Sequence, residues 1–365
     1  MDLDEFIAAV EILRRPELAG RPVVVGGDGD PTKRGVVSTA NYEARRYGIR
    51  SGMPLRTAYR RCPEAVFLPV DAEAYLAASR EVMATLRTFP AVVEVAGWDE
   101  AFLEVRTDDP EGLARDIQRR VLERTGLRCS VGIGDNKLRA KLASGFAKPA
   151  GVFRLTREEW AGVMEGLPTD ALWGIGRKTA RKLEALGIRT VGQLARADEG
   201  LLARTFGPRI GPWLRRLATG EDATPVTAEP YVPKGRGIER TYQEDVVDPA
   251  EVRRLVAGLA RELAAALAPE GRPAVRVVVK VRFAPFDTHT RGVSLAAPTL
   301  DPAALEAAAL AALDRFELDR PVRLLGVRAE LAGPRTPIAR SSAPLSAAGA
   351  GPRSRRTKPG RTGSP

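Results

Sequence analysis

The hydrophobic period of this chain changes character three times, and the order of those changes restricts its fold more than any single motif. Up to about residue 155, strand-like and helix-like stretches alternate. Residues 156–220 carry only helical spacing punctuated by glycine, and residues 221–233 are an irregular, proline-rich linker. Beyond the linker the pattern reads strand 236–243, helix 249–267, strand 274–283, strand 289–296, helix 301–316 and strand 321–331. That succession, β-α-β-β-α-β, predicts a ferredoxin-like arrangement for the last folded domain. The chain has 365 residues, enough for two or three domains at about 150 residues each. We therefore expect an α+β multidomain protein.

Within the first stretch, residues 2–14 begin acidic and then read as a helix, with Phe6, Ile7, Ala9, Val10 and Leu13 apolar. Val23–Gly26 and Val36–Ser38 read as short strands around a Gly/Asp/Pro turn. Helices are expected at 54–60, 71–88, 111–125 and about 136–146. Strands are expected at 92–96, 101–105 and Arg128–Ile133, the first two forming a hairpin around Gly97-Trp98-Asp99-Glu100.

Charge bears on partners. The net charge is +11, but seven of the basic residues lie in 333–365, which contains no Asp or Glu and no periodicity. We expect that tail to be disordered and the body to be mildly basic, compatible with a polyanionic partner. The two cysteines, Cys62 and Cys129, and the single His289 form no zinc spacing and no Ser-His-Asp or Cys-His constellation. The lack of a disulfide framework, of a signal peptide and of a membrane-spanning apolar run fits a cytoplasmic protein. Met1 directly precedes Asp2, which leaves only a stub of strand, and from this we expect a native start upstream.

The chemistry rests on carboxylates. Asp2 and Asp4 open the chain, and Asp99 and Glu100 sit in the hairpin turn. Phosphoryl transfer requires a positioned attacking oxygen and neutralised phosphate charge, which two Mg²⁺ ions about 3.5–4 Å apart supply. Mg²⁺ selects hard oxygen ligands, so such a site gathers carboxylates from separate segments. Taken singly, an acidic helix start and an acidic turn are ordinary solvated features. Leu3 with Phe6, and Trp98 with Phe102, flank the two pairs and suggest carboxylates at the edge of a core.

Asp2-Leu3-Asp4-Glu5-Phe6-Ile7-Ala8-Ala9-Val10-Glu11 resembles the first motif of Y-family DNA polymerases, nearest the DNA polymerase IV (DinB) class. Gly97-Trp98-Asp99-Glu100-Ala101-Phe102-Leu103 resembles the second acidic motif. Ser38-Thr39-Ala40-Asn41-Tyr42-Glu43-Ala44-Arg45 and Gly48-Ile49-Arg50-Ser51-Gly52-Met53-Pro54 look like the finger segment. Ser130-Val131-Gly132-Ile133-Gly134-Asp135-Asn136-Lys137, with Ala147-Lys148-Pro149, resembles the rest of the palm signature. The likeness covers about residues 1–332, with the motifs in order.

The resemblance implies a right-handed polymerase. Its parts would be a ferredoxin-like palm (1–10 and 66–155), small fingers (11–65), a helix-hairpin-helix thumb (156–220), a linker (221–233), a little finger (234–332) and a disordered basic tail (333–365). It implies template-directed addition of nucleotides to a primer 3′-hydroxyl, with an open active site, tolerance of damaged templates and low fidelity. Asp2, Asp99 and Glu100, with the Leu3 carbonyl, would hold two Mg²⁺, or Mn²⁺. Thr39, Tyr42, Arg45 and Lys148 would hold the triphosphate. The family's aromatic steric gate is Ile7 here, and a shorter side chain predicts acceptance of ribonucleotides. Gly174, Gly176 and Lys178, in a Gly-x-Gly turn leading into a helix, would grip DNA phosphate, with Arg236 and Arg240 adding contacts. Arg276, Lys280 and Arg282 alternate with Val277, Val279 and Val281, which puts the basic residues on one sheet face. The implied partners are primer-template DNA and nucleoside triphosphates. No clear sliding-clamp peptide stands in the tail, and a monomer is expected. A helix-hairpin-helix repair protein and an inactive adaptor of the same family are the alternatives; primer extension separates them.

Overall fold

The computed structural model describes residues 1–333; the basic tail expected beyond that point lies outside the described residues. The first domain runs β1 (Asp2–Leu3), α1 (Phe6–Arg14), β2 (Val23–Val25), β3 (Thr39–Ala40), α2 (Tyr42–Arg46), α3 (Leu55–Arg61), β4 (Val66–Leu68) and α4 (Ala72–Leu86). It continues through β5 (Val92–Val95), β6 (Ala101–Glu104), α5 (Pro110–Thr125), β7 (Cys129–Ile133), α6 (Lys137–Phe146) and β8 (Val152–Arg154).

Asp2 and Leu3 are strand, not the start of a helix. They pair antiparallel with Ser130 and Cys129, and Asp2 bridges Glu100. Glu5, with φ 44°, then turns the chain, and the helix begins at Phe6. Long-range pairing and one left-handed residue override the helical periodicity. Through the Asp2–Glu100 bridge the strands stand in the order β8-β7-β1-β6-β5. The four strands β7-β1-β6-β5 have the ferredoxin order, and α4 and α5 bury Tyr75, Val82, Leu86, Ile117 and Val121 in the same core. Between β6 and β7, past Met1, a cavity of about 450 Å³ is lined by Leu103, Leu113, Val131 and Ile133, away from the carboxylates.

Local signals account for much of this domain. Asp109 caps α5 by accepting the Gly112 N–H at 2.8 Å, Pro110 opens the helix, and Gly126 at φ 71° ends it. The short elements α2, β4 and β8 escape periodicity, and the strand expected at Val36–Ser38 falls at Thr39–Ala40. Strand β2 serves two cores. Val23 and Val25 join the core beneath α4 and α5, whereas Val24 packs with Val37, Ala44, Ile49, Leu55 and Ala58.

The helical segment comprises α7 (Arg157–Met164), α8 (Arg177–Ala185), α9 (Val191–Ala195), α10 (Glu199–Phe206) and α11 (Ile210–Ala218). Its core takes in Leu138 and Leu142 of α6, so it is anchored on the first domain. The linker is strapped down: Glu94 accepts from Lys137 Nζ at 2.6 Å and from the Thr227 N–H at 2.9 Å.

The last domain runs β9 (Gly235–Val246), α12 (Pro249–Leu267), β10 (Ala274–Phe283), β11 (Asp287–Thr299), α13 (Pro302–Leu313) and β12 (Val322–Leu331). The element string is the expected one, but the strand order is β9-β12-β10-β11, which is not the ferredoxin order. Periodicity specifies elements and faces; the pairing of non-adjacent strands is decided by how α12 and α13 pack on one side. Val277, Val279 and Val281 are fully buried beneath those helices, and Arg276, Lys280 and Arg282 stand on the opposite face, as the alternation predicts.

Candidate active site

The acidic segments converge on the end of β1. The Leu3 N–H donates to the Asp99 carbonyl at 2.9 Å, and the Ala101 N–H donates to the Met1 carbonyl at 3.1 Å. These bonds hold the hairpin turn against the first strand, so Asp2, Asp99 and Glu100 share one edge. Leu3 and Phe6 are buried beneath them, whereas Trp98 is exposed.

Two lysines reach the cluster from α6 and the turn after it. Lys141 Nζ lies 2.6 Å from Asp2 Oδ2 and 2.8 Å from Glu100 Oε1. Lys148 Nζ lies 2.6 Å from Asp2 Oδ1, 3.1 Å from Asp4 Oδ1 and 2.9 Å from the Leu3 carbonyl oxygen. The close approach of α6 to β7 depends on glycine. A Cβ at Gly132 would come within 2.1 Å of the Ala140 carbonyl oxygen and 2.2 Å of the Ser144 nitrogen.

Burial alone would push the Asp2 carboxyl up, but the Lys148 and Lys141 ammoniums prevail and hold it below the ordinary range. Asp99 has no such partner: burial, then the neighbouring charges of Asp2 and Glu100, push its carboxyl up. Among the described residues no group of three His, Cys, Asp or Glu side chains surrounds a common point. Asp2, Asp99 and Glu100 thus share one edge without converging on a common point, and the Lys141 ammonium lies between Asp2 and Glu100. The donor set of Asp2, Asp99, Glu100 and the Leu3 carbonyl nevertheless fits a hard divalent cation. It is all oxygen, and its mutual repulsion at Asp99 is what a cation relieves.

Two of the expected triphosphate residues, Tyr42 and Lys148, meet at Asp4, which is buried. Asp4 accepts from Tyr42 Oη at 3.2 Å, Ser130 Oγ at 2.8 Å and the Ala150 N–H at 2.7 Å, as well as from Lys148. Arg45 stacks over the Tyr42 ring at 5.0 Å and donates from Nε to the Ala40 carbonyl. Thr39 sits in β3, paired with Val25. Asn41 caps α2 and also accepts the Val23 N–H at 2.8 Å, which fixes where Tyr42 and Arg45 start. Ile7 is partly buried on the first turn of α1. Sequence reasoning missed Asp4 as a hub and Lys141 altogether. Neither stands out, because a lysine on a helix is ordinary until the fold aims it at Asp2.

The chain matches the model of the impB/mucB/samB family over residues 1–145 and that family's C-terminal domain over residues 233–337. It is 53% identical over 336 residues to DNA polymerase IV 2 of Mycobacterium tuberculosis (strain ATCC 25618 / H37Rv), covering 91% of this chain and 97% of that protein. The chain belongs to the Y-family DNA polymerases, in the DNA polymerase IV class. DNA polymerase IV of Methanoculleus marisnigri is 42% identical over 333 residues, covering 90% of this chain and 92% of that one. Among solved structures, the Y-family chimera Dbh-Dpo4(243-245)-Dbh superposes with a TM-score of 0.79 at 28% identity, covering 90% of this chain and 97% of the other. An insertion ternary complex of Dbh DNA polymerase gives 0.64 at the same identity and coverage. This Y-family member is therefore a template-directed DNA polymerase of the translesion type, and polymerases of this family are metal-dependent.

Residues 170–222 match a polymerase thumb domain, the thumb of DNA polymerase-iota. There Gly174 has φ 100°, and a Cβ on it would meet the Trp213 ring at 3.0 Å. Gly176 caps α8 without a side chain, and Lys178 is exposed beside it. Arg236 and Arg240 are placed otherwise than the open sheet face. Their cross-strand partners Ala329 and Leu325 are core residues, and the two arginines pair with Glu270 and Glu262 on the helix side. Burying Ile238 between them forces this parity. In the polymerase, the segment between β2 and β3 also touches the last domain. Arg34 donates to the Tyr242 carbonyl at 3.1 Å and to Asp245 Oδ1 at 2.5 Å, and the Gln243 amide bonds both the N–H and the carbonyl of Arg34. Among the described residues no helix is long and apolar enough to cross a membrane.

Proposed function

We propose that this polymerase extends a primer on template DNA through the cluster at Asp2, Asp99 and Glu100. These carboxylates, with the Leu3 carbonyl, hold two Mg²⁺ ions, and Mn²⁺ is an acceptable substitute. When bound, the cations lower the pKa of the primer 3′-hydroxyl and neutralise charge on the phosphates. Lys148, Arg45, Tyr42 and Thr39 hold the incoming triphosphate, Arg by bidentate pairing and Lys as a point charge. The 3′-oxygen bonds to the α-phosphorus, pyrophosphate leaves, and the hydroxyl proton is released. The observation that carries this reading is the meeting of Asp2, Asp99 and Glu100 beside Lys148 at one end of β1.

In this reading the palm is 1–10 and 66–155, the fingers 11–65, the thumb 156–220, the linker 221–233 and the little finger 234–332, with α1 crossing the palm–fingers junction. Gly174, Gly176 and Lys178 contact DNA phosphate in this reading, and the open sheet face of the little finger carries further basic groups. Ile7, in place of an aromatic gate, admits ribonucleotides. The buried thiols Cys62 and Cys129 suit a reducing cytoplasm. Primer extension with Mg²⁺, Mn²⁺ or EDTA, for the native protein and Asp99→Asn, tests the site. Extension by the native enzyme that disappears in EDTA and in the variant supports it; undiminished extension by Asp99→Asn refutes it.

A further inference from the structure

The carboxylate cluster already contains cations, and they belong to the protein. Asp2 gives one oxygen to Lys141 and the other to Lys148; Glu100 gives one to Lys141, and the Leu3 carbonyl accepts from Lys148. The two lysines differ in what they can do next. Lys148 has a substrate role available, because a triphosphate offers its ammonium a stronger anion. Among the described residues Lys141 contacts only Asp2 and Glu100 of the acidic groups, and its side chain is 19% exposed, open to withdrawal toward solvent. It is carried by α6, which Gly132 of β7 and Gly134 just after the strand let approach the sheet.

We propose that Lys141 is an internal place-holder for a metal ion. Its ammonium bridges Asp2 and Glu100 and holds them close together in the metal-free protein, and it competes with a free divalent cation for the same oxygens. The cluster then binds free cation weakly and fills when a triphosphate draws Lys148 away and brings its own cation. Lys141 is a positioning residue in this scheme. The inference rests on the reading of Asp2, Asp99 and Glu100 as metal ligands.

The experiment is Mn²⁺ binding to the full chain without DNA or nucleotide, followed by the electron-paramagnetic signal of free Mn²⁺, together with melting temperature in EDTA and in Mg²⁺. Lys141→Met should bind Mn²⁺ about five- to tenfold more tightly than the native protein, the amount by which one partly buried ammonium disfavours a cation. It should also melt lower in EDTA and gain more from Mg²⁺. Lys141→Arg, which keeps the charge, should stay within about twofold of native affinity. Equal or weaker Mn²⁺ binding by Lys141→Met, in a protein that still melts cooperatively, overturns the place-holder. Lys141→Gln serves by the same criterion if the methionine variant does not fold. If neither native protein nor variant binds Mn²⁺, or if Asp99→Asn leaves binding intact, the carboxylate reading itself falls.

Discussion

The carboxylate of Glu5 accepts the backbone N–H of Tyr42 and so ties the first acidic segment to the first turn of α2. Glu5 does this from a left-handed conformation, φ 44° and ψ 35°, that glycine adopts without cost. Removing the side chain removes the tether; removing the Cβ removes the strain. Glu5→Ala should therefore lose about 1 kcal/mol, the typical value of a helix cap. Glu5→Gly should be more stable than Glu5→Ala by roughly 1 kcal/mol. Both should raise KM for the nucleotide more than they lower kcat, because Tyr42 and Arg45 lose their anchor. Thermal melts and steady-state extension check the two parts; equal stability of the variants would contradict the strain argument.

Asp99 should show activity and stability moving in opposite directions. Burial and the charges of Asp2 and Glu100 raise its folded pKa above the unfolded value. A carboxyl shifted this way favours the folded state while protonated and opposes it once ionised, so its contribution worsens as pH rises through that range. Asp99→Asn should raise the metal-free melting temperature at neutral pH, with the gain shrinking toward acid pH. Extension should fall by at least about a hundredfold, as for loss of one transition-state charge contact. Melts across pH in EDTA, beside single-turnover extension, measure both.

Ile7 is partly buried against the core, and in the proposed reading it stands where the family's aromatic gate would be. Ile7→Phe should restore a clash with a 2′-hydroxyl and increase discrimination against ribonucleotides by about 10- to 100-fold, a steric difference of about 1–3 kcal/mol. Single-nucleotide insertion of ribo- and deoxyribonucleotides gives the ratio. Strong rejection by the native enzyme, unchanged in the variant, would end the idea.

Arg34, between β2 and β3, is held to the last domain through Tyr242, Asp245 and Gln243. Interfaces between domains of one chain are mobile unless large or specifically bonded. Arg34→Ala should release the last domain, enlarge the radius of gyration in small-angle scattering and weaken primer-template binding by a factor of about five, roughly 1 kcal/mol for a partly exposed pair. Because one of the bonds is ionic, high salt should narrow the difference. An unchanged scattering profile would show that other contacts suffice.

Much of the fold is legible in local signals of the sequence. Asp109-Pro110 and Gly126 bracket α5, and the alternation of Val277, Val279 and Val281 sets the buried face of β10. What escapes is short or depends on distant partners. Asp2 and Leu3 look helical by spacing and are strand because Ser130, Cys129 and Glu100 lie alongside. Arg236 and Arg240 read as DNA contacts and turn to the helix side once Ile238 enters the core.

By itself the sequence determined the segmentation into folded units, the identity of the acidic groups and membership of the polymerase family, since each is written in local spacing or in motifs. Only the tertiary structure decided which ammonium faces which carboxylate, how the strands of the last domain are ordered and where Arg34 attaches. Lys141 meets Asp2 across 139 residues of chain, and no local period carries information over that distance. The meeting follows from a helix packed so closely on a strand that only glycines fit between them.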